Sequence, residues 1–137
     1  MLKLTADCVP IALAREDGTA LALLHAGWRG LLEGIVDAGA AVLGGASRAA
    51  VGPAIGPCCY EVGPEVADPF RRRFGPDVAS GRMLDLWNAA ERALREAGVT
   101  TIERFDVCTS CNPKLFFSHR RDAGVTGRQG VVGVVAG

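Results

Sequence analysis

Apolar and polar positions fall into short blocks along the chain. Val9 to Ala14 and Ala20 to His25 are apolar, partly β-branched runs, and the Arg15-Glu16-Asp17-Gly18 segment between them has the polarity and terminal glycine of a hairpin turn. Two adjacent antiparallel strands are expected. Past Gly27-Trp28-Arg29-Gly30, apolar residues recur at Leu31, Ile35, Ala38 and Val42, the spacing of one helix face, until Gly44-Gly45 stops the pattern.

Ala49 to Ile55 reads as a further strand entering the loop Gly56-Pro57-Cys58-Cys59-Tyr60, and a second helix is expected from about Pro64 to Phe74. Met83 to Leu86 is a short strand. Trp87 to Ala97 carries Ala90, Leu94 and Ala97 on one helical stripe, with Gly98 as its stop. Ile102 to Val107 reads as a strand, and the wholly apolar Val131 to Val135 as a strand buried on both faces. Strands and helices therefore alternate. The expected architecture is α/β, a mixed β-sheet layered with about three helices in a single domain over residues 1–137, with no repeat, linker or low-complexity tract.

Composition changes this picture little. With 49% apolar and 22% charged residues in 137, the chain is long enough for one core and too apolar for disorder. No apolar run approaches the ~18–20 residues that span a bilayer, and the first five residues lack a signal peptide's apolar stretch, so a cytoplasmic location is expected. The formal net charge is zero, which draws the protein neither to nucleic acid nor to an anionic membrane. Residues 1–70 carry four basic and eight acidic side chains, whereas residues 71–137 carry eleven and seven, so anion-binding groups are sought in the second half.

Five cysteines without a secretory signal leave metal binding, reactivity or burial as their roles, not a disulfide framework. Cys8 and His25 lie on neighbouring expected strands, and a thiolate with an imidazole suits zinc, with copper as the alternative; buried core residues are the competing reading. Asp7 is either an acceptor orienting a ligand or a surface carboxylate. Cys108-x-x-Cys111 lacks the second Cys-x-x-Cys of a zinc ribbon and is read as a structural loop, and the Cys58-Cys59 loop as an anion cradle or a rigid turn. Arg29, Arg120, Arg121 and Arg128 stand beside glycines, and guanidinium groups hold phosphate through paired hydrogen bonds; surface ion pairing is the alternative.

In order along the chain, Thr5-Ala6-Asp7-Cys8-Val9-Pro10, His25-Ala26-Gly27-Trp28-Arg29-Gly30, Gly56-Pro57-Cys58-Cys59-Tyr60-Glu61-Val62-Gly63, Leu84-Asp85-Leu86, Cys108-Thr109-Ser110-Cys111-Asn112-Pro113, Phe117-Ser118-His119-Arg120-Arg121-Asp122 and Thr126-Gly127-Arg128-Gln129 resemble the signature blocks of the YfiH-type purine nucleoside phosphorylase family. Its members have also been labelled polyphenol oxidases and peptidoglycan editing factors. The resemblance implies phosphorolysis of adenosine, inosine and methylthioadenosine, with adenosine deamination as a second activity. It also implies a metal on the family's motif cysteine and histidine, which match Cys8 and His25.

The implied partners are a purine nucleoside and phosphate, with Arg29, Arg120 or Arg121 on the phosphate and Asp85 in the pocket. The family's N-terminal block, with another histidine ligand, has no counterpart before Thr5, and His119 belongs to a different motif. Two metal ligands, a weakly held ion and slow turnover are therefore expected, with an exposed sheet edge through which copies associate. A non-catalytic paralogue is the alternative reading. A copper oxidase acting on phenols would need many histidines, and the chain has two.

Overall fold

The computed structural model describes residues 1–136, and its elements follow the sequence blocks closely in the first half of the chain. In chain order they are β1 (Leu2–Thr5), β2 (Val9–Ala14), β3 (Leu21–Ala26), α1 (Trp28–Glu33), α2 (Ile35–Val42), β4 (Arg48–Val51) and α3 (Pro64–Phe74). After one turn of 3-10 helix come β5 (Ala79–Ser80), β6 (Met83–Leu84), α4 (Leu86–Glu96), β7 (Thr101–Arg104) and β8 (Gln129–Val132).

The expected hairpin organises the main sheet. β2 and β3 run antiparallel, with Val9 opposite Ala26, Pro10 opposite His25 and Ala14 opposite Leu21. β4 pairs antiparallel with the other edge of β2, and β7 lies parallel to β4, which gives the mixed order β3-β2-β4-β7. The parallel pair requires a crossover, and the segment carrying α3 and α4 supplies it. β1 and β8, the two ends of the chain, form a separate antiparallel ribbon, and β5 and β6 a small hairpin.

One face of the main sheet is buried. Val9, Ile11 and Leu13 of β2 and Ala49 and Val51 of β4 alternate inward, where they meet Val36 and Ala40 of α2 and Leu86, Ala90 and Leu94 of α4 in one core. Close approach of α2 depends on Gly39, where a Cβ would lie 2.8 Å from Leu24 Cδ2. No helix among the described residues is long and apolar enough to cross a membrane.

Three departures from the sequence reading have local causes. The helix read across Leu31 to Val42 is two helices, because Gly34 adopts φ +88° and closes α1 while opening α2; four α-helices result among the described residues. Val131–Val135 is not a strand buried on both faces: β8 spans Gln129–Val132, pairs only with β1, and leaves Val132 70% exposed. Leu2–Thr5, unassigned from the sequence, becomes β1 because the far end of the chain returns to pair with it.

Candidate functional site

Cys8 stands two residues before Pro10, whose partner across the ladder is His25. Because side chains alternate along a strand, Cys8 and His25 fall on the same side of the hairpin. Both line an open cleft of about 390 Å³, together with Asp7, Trp28, Tyr60, His119, Arg120 and Arg128. Gly27 makes room for the thiol, since a Cβ there would lie 3.0 Å from Cys8 Sγ.

The cleft is held in shape by Asp7, which is buried rather than a surface carboxylate. Its Oδ1 accepts from Thr109 Oγ1 at 2.7 Å, its Oδ2 accepts from the backbone N–H of Arg120 at 2.7 Å, and its carbonyl accepts from Ile55 N–H at 2.9 Å. Asp7 takes the left-handed φ of +92°, costly for a residue other than glycine, and three separate segments pin it there. The loop carrying His119 and Arg120 is thereby fixed to the start of β2. That loop curls on itself through Gly124 N–H to His119 C=O at 2.9 Å, and the His119 ring covers Gly124 closely enough that a Cβ would lie 3.3 Å from Cε1.

Charge inside the cleft is predominantly positive near the imidazole. Burial pushes His25 below its ordinary value, and the charges of Lys3 and Arg128 add to that, so the neutral ring with a free lone pair is favoured. Burial pushes the Cys8 thiol up, the Asp7 carboxylate pushes further, and Arg128 pulls back against both. Burial likewise raises Tyr60, keeping its phenol protonated. The Arg120 guanidinium lies 4.9 Å from the Tyr60 ring centre and donates to the carbonyl of Glu61, forming one wall.

The other sequence candidates sit elsewhere. Arg29 is exposed on α1 with its guanidinium 4.7 Å from the Trp28 ring centre, beside the cleft rather than lining it. Asp85 is not a pocket carboxylate. It caps α4, accepting from Asn88 N–H at 3.0 Å and from Asn88 Nδ2 at 2.8 Å. Arg121 is consumed as a clamp, donating to the carbonyls of Thr109, Ser110 and Phe116 while pairing with Asp122, and it does not line the cleft. Arg120 does line it, and so do Arg128 and His119. Arg128 was grouped by sequence only with the other arginines, and His119 was set apart in its own motif. One thiol and two imidazoles around one cleft suit zinc or copper in kind.

A second concentration of ligand chemistry was not visible in the sequence. Among the described residues, the one group of three or more metal-ligating side chains gathered within 4.8 Å is Cys58, Cys59, Cys108 and Cys111. Cys8, His25 and His119 are spread more widely around their cleft. Burial pushes the Cys108 thiol up, but the N–H groups of Gly56 and Cys111 and the thiols of Cys58 and Cys111 outweigh it and bring it down to about 7. Cys108-x-x-Cys111 does have a second pair, supplied by adjacent cysteines some fifty positions earlier.

Comparison with known proteins identifies the family. A family model described as "Multi-copper polyphenol oxidoreductase laccase" matches residues 1–136. The chain is 42% identical over 142 residues to "Purine nucleoside phosphorylase YlmD" of Geobacillus stearothermophilus, covering 90% of this chain and 51% of that protein. It is 37% identical over 131 residues to a "Purine nucleoside phosphorylase" of Xylella fastidiosa, covering 87% and 50%. The crystal structure of the Bacillus licheniformis hypothetical protein YfiH superposes with a TM-score of 0.86 at 33% identity, over 94% of this chain and 55% of that one. The chain thus spans about half the length of the curated relatives it matches.

Proposed function

We propose that this chain, which belongs to the family of multi-copper polyphenol oxidoreductase laccases, contributes the nucleoside- and phosphate-binding cleft of a purine nucleoside phosphorylase. Two supports meet in this reading: the relatives named purine nucleoside phosphorylase, and the cleft itself. The observation that carries it is the convergence of Cys8, His25 and His119 with two aromatic rings and two guanidinium groups on one cleft.

Each group has a distinct task. Trp28 and Tyr60 offer flat apolar faces against which a purine stacks. Arg120 and Arg128 hold the phosphate by charge-assisted hydrogen bonds. A phosphate oxygen bonds to C1′ of the ribose as the C1′–N9 bond breaks, its electron pair leaving with the purine. The purine takes one proton, which the exposed His119 ring donates and recovers from solvent. Positive charge developing on the ribose is stabilised by the bound phosphate anion.

Cys8 and His25 are the residues that would hold zinc, or alternatively copper, while His119 stays free for proton transfer. When bound, such an ion supplies Lewis-acid polarisation. Adenosine deamination is the second activity assigned to the same cleft. In this reading Arg29, Asp85 and Arg121 touch neither substrate nor phosphate.

Chromatography of adenosine incubated with the chain tests both activities at once, since phosphorolysis yields adenine and deamination yields inosine. Arg120→Met and Arg128→Met should each raise KM for phosphate about 10- to 100-fold, the size of a lost hydrogen bond to a charged group. Base release that does not depend on phosphate, or an unchanged phosphate KM in both variants, would sink the assignment. In Cys8→Ser combined with His25→Ala, elemental analysis should show one metal ion per chain fewer than in the parent.

A further inference from the structure

The two cysteine pairs are brought together by the backbone rather than by chance contact of flexible loops. Ala54 and Cys108 form a parallel bridge, with Ala54 N–H donating to Val107 C=O at 3.3 Å and Thr109 N–H to Ala54 C=O at 3.0 Å. Beyond the bridge both segments turn. Cys59 and Tyr60 N–H groups both donate to Gly56 C=O at 3.0 Å, and Asn112 Nδ2 donates to Cys108 C=O at 2.7 Å. The turns point all four sulfurs at one spot: Cys111 Sγ lies 3.5 Å from Cys58 Sγ and 3.2 Å from Cys59 Sγ, and the four atoms lie within 4.8 Å of one another.

These separations match one tetrahedral ion. With zinc–sulfur bonds of ~2.3 Å, tetrahedral geometry places the sulfurs ~3.8 Å apart, inside the observed spread. A cluster of several irons would hold its outer sulfurs farther apart than this set allows. Gly56 N–H donates to Cys108 Sγ at 3.3 Å, a hydrogen bond that stabilises the negative charge of a metal-bound thiolate. Arg121, paired with Asp122, donates to the carbonyls of Thr109 and Ser110 between the two loop cysteines and so fixes the shape of that loop. Cys108 is buried while Cys58 and Cys111 are exposed, so an ion can enter from the surface.

We propose that Cys58, Cys59, Cys108 and Cys111 form a closed tetrathiolate zinc site, separate from the cleft, that pins the Cys58 loop to the Cys108 loop. Binding replaces four S–H bonds with four S–Zn bonds and releases four protons to the buffer. The site shares no ligand with Cys8, His25 or His119, so it stands or falls independently of the phosphorylase reading. Its consequence for the cleft is mechanical: Tyr60 follows Cys59 directly and carries the stacked Arg120.

The test uses the reduced chain under anaerobic conditions in the Cys8→Ser, His25→Ala background, where the cleft donors are gone and the loops untouched. One zinc per chain should be found, replaceable by cobalt(II) to give the visible bands and sulfur-to-cobalt charge transfer of a tetrahedral tetrathiolate. Cys111→Ser in that background should change the spectrum and weaken zinc binding by more than the roughly 10- to 100-fold that loss of an outer partner costs. Should Cys111→Ser fail to fold, a thiol-directed mercurial added to the parent double variant should release one zinc for every four thiols titrated. Copper or iron in place of zinc, cobalt bands indifferent to Cys111→Ser, or thiols that titrate without releasing zinc would each overturn the site.

Discussion

Asp7 is the side chain on which the cleft's geometry turns, because its two carboxylate oxygens are both committed at 2.7 Å to donors from distant parts of the chain. Asp7→Asn keeps the shape and the hydrogen bond from Arg120 N–H, but it turns an amide N–H toward the buried Thr109 hydroxyl, whose own O–H loses its acceptor, and it removes the charge that strengthens both bonds. A loss of about 1–3 kcal/mol is expected from urea unfolding, with Thr109→Val costing less because it removes one uncharged partner. Equal midpoints for Asp7→Asn and the parent chain would show that the hub holds nothing. The same residue marks how far single positions could be read from sequence: a carboxylate beside a cysteine looks like surface until the segments that bury it are in place. That Cys8 and His25 share one side of the hairpin was legible, because strand pairing and alternation put them there. The four-cysteine cluster was not, since Cys58-Cys59 has no ligand spacing of its own and only the Ala54–Cys108 bridge brings the pairs together. For Asp85 the signal was present, an aspartate directly before a strongly patterned helix, and it pointed to a cap.

Elements were read best where their pattern is set locally. α3 and the β2–β3 hairpin were expected almost at their observed bounds, because proline, glycine and alternation mark their ends. Periodicity alone carried the expected helix through Gly34, since its φ of +88° leaves the apolar spacing intact. Gly34→Ala adds a Cβ that meets nothing closer than Asp37 Oδ2 at 3.7 Å, so its cost is backbone strain alone, about 1–2 kcal/mol in thermal or urea unfolding. An unchanged midpoint would mean that the two helices are not separated by that residue's conformation. α4 is tied to β7 by Arg104, which pairs with Glu91 and Asp106 and donates to Asn88 Oδ1 at 2.8 Å. The Arg104 hydrogen bond holds the Glu91 carboxyl below its usual range despite the opposing effect of burial. A carboxyl depressed in the folded state stabilises above its unfolded value, near 4.3, and that contribution drains away as pH falls through the folded value. Glu91→Gln should therefore lower stability at neutral pH and converge with the parent chain in acid; a constant gap at every pH would contradict the linkage.

At the scale of the molecule, the helices cover one face of the main sheet and leave apolar surface on the other. Pro10, Ala12, Ala50, Pro53, Phe105 and Val131 line a groove of about 260 Å³ there, and Phe105 is 53% exposed. The terminal ribbon adds to the exposed apolar surface: Leu2 and Leu4 share one side of β1, Val132 sits directly opposite Leu2, and the three are 58%, 51% and 70% exposed. Few solvated proteins leave such a strip beside a sheet without covering it. The formal net charge of zero supplies no repulsion between copies to oppose contact. The chain on its own is therefore expected to associate with further copies through this strip, with scattering mass that grows with concentration and persists in high salt, because the contact is apolar. Leu4→Glu together with Val132→Lys should shift the distribution toward monomer without changing the urea midpoint, since neither side chain is buried in the core. A parent chain that scatters as a single monomer across the same concentrations would show that the strip is tolerated in water and that association must be sought elsewhere.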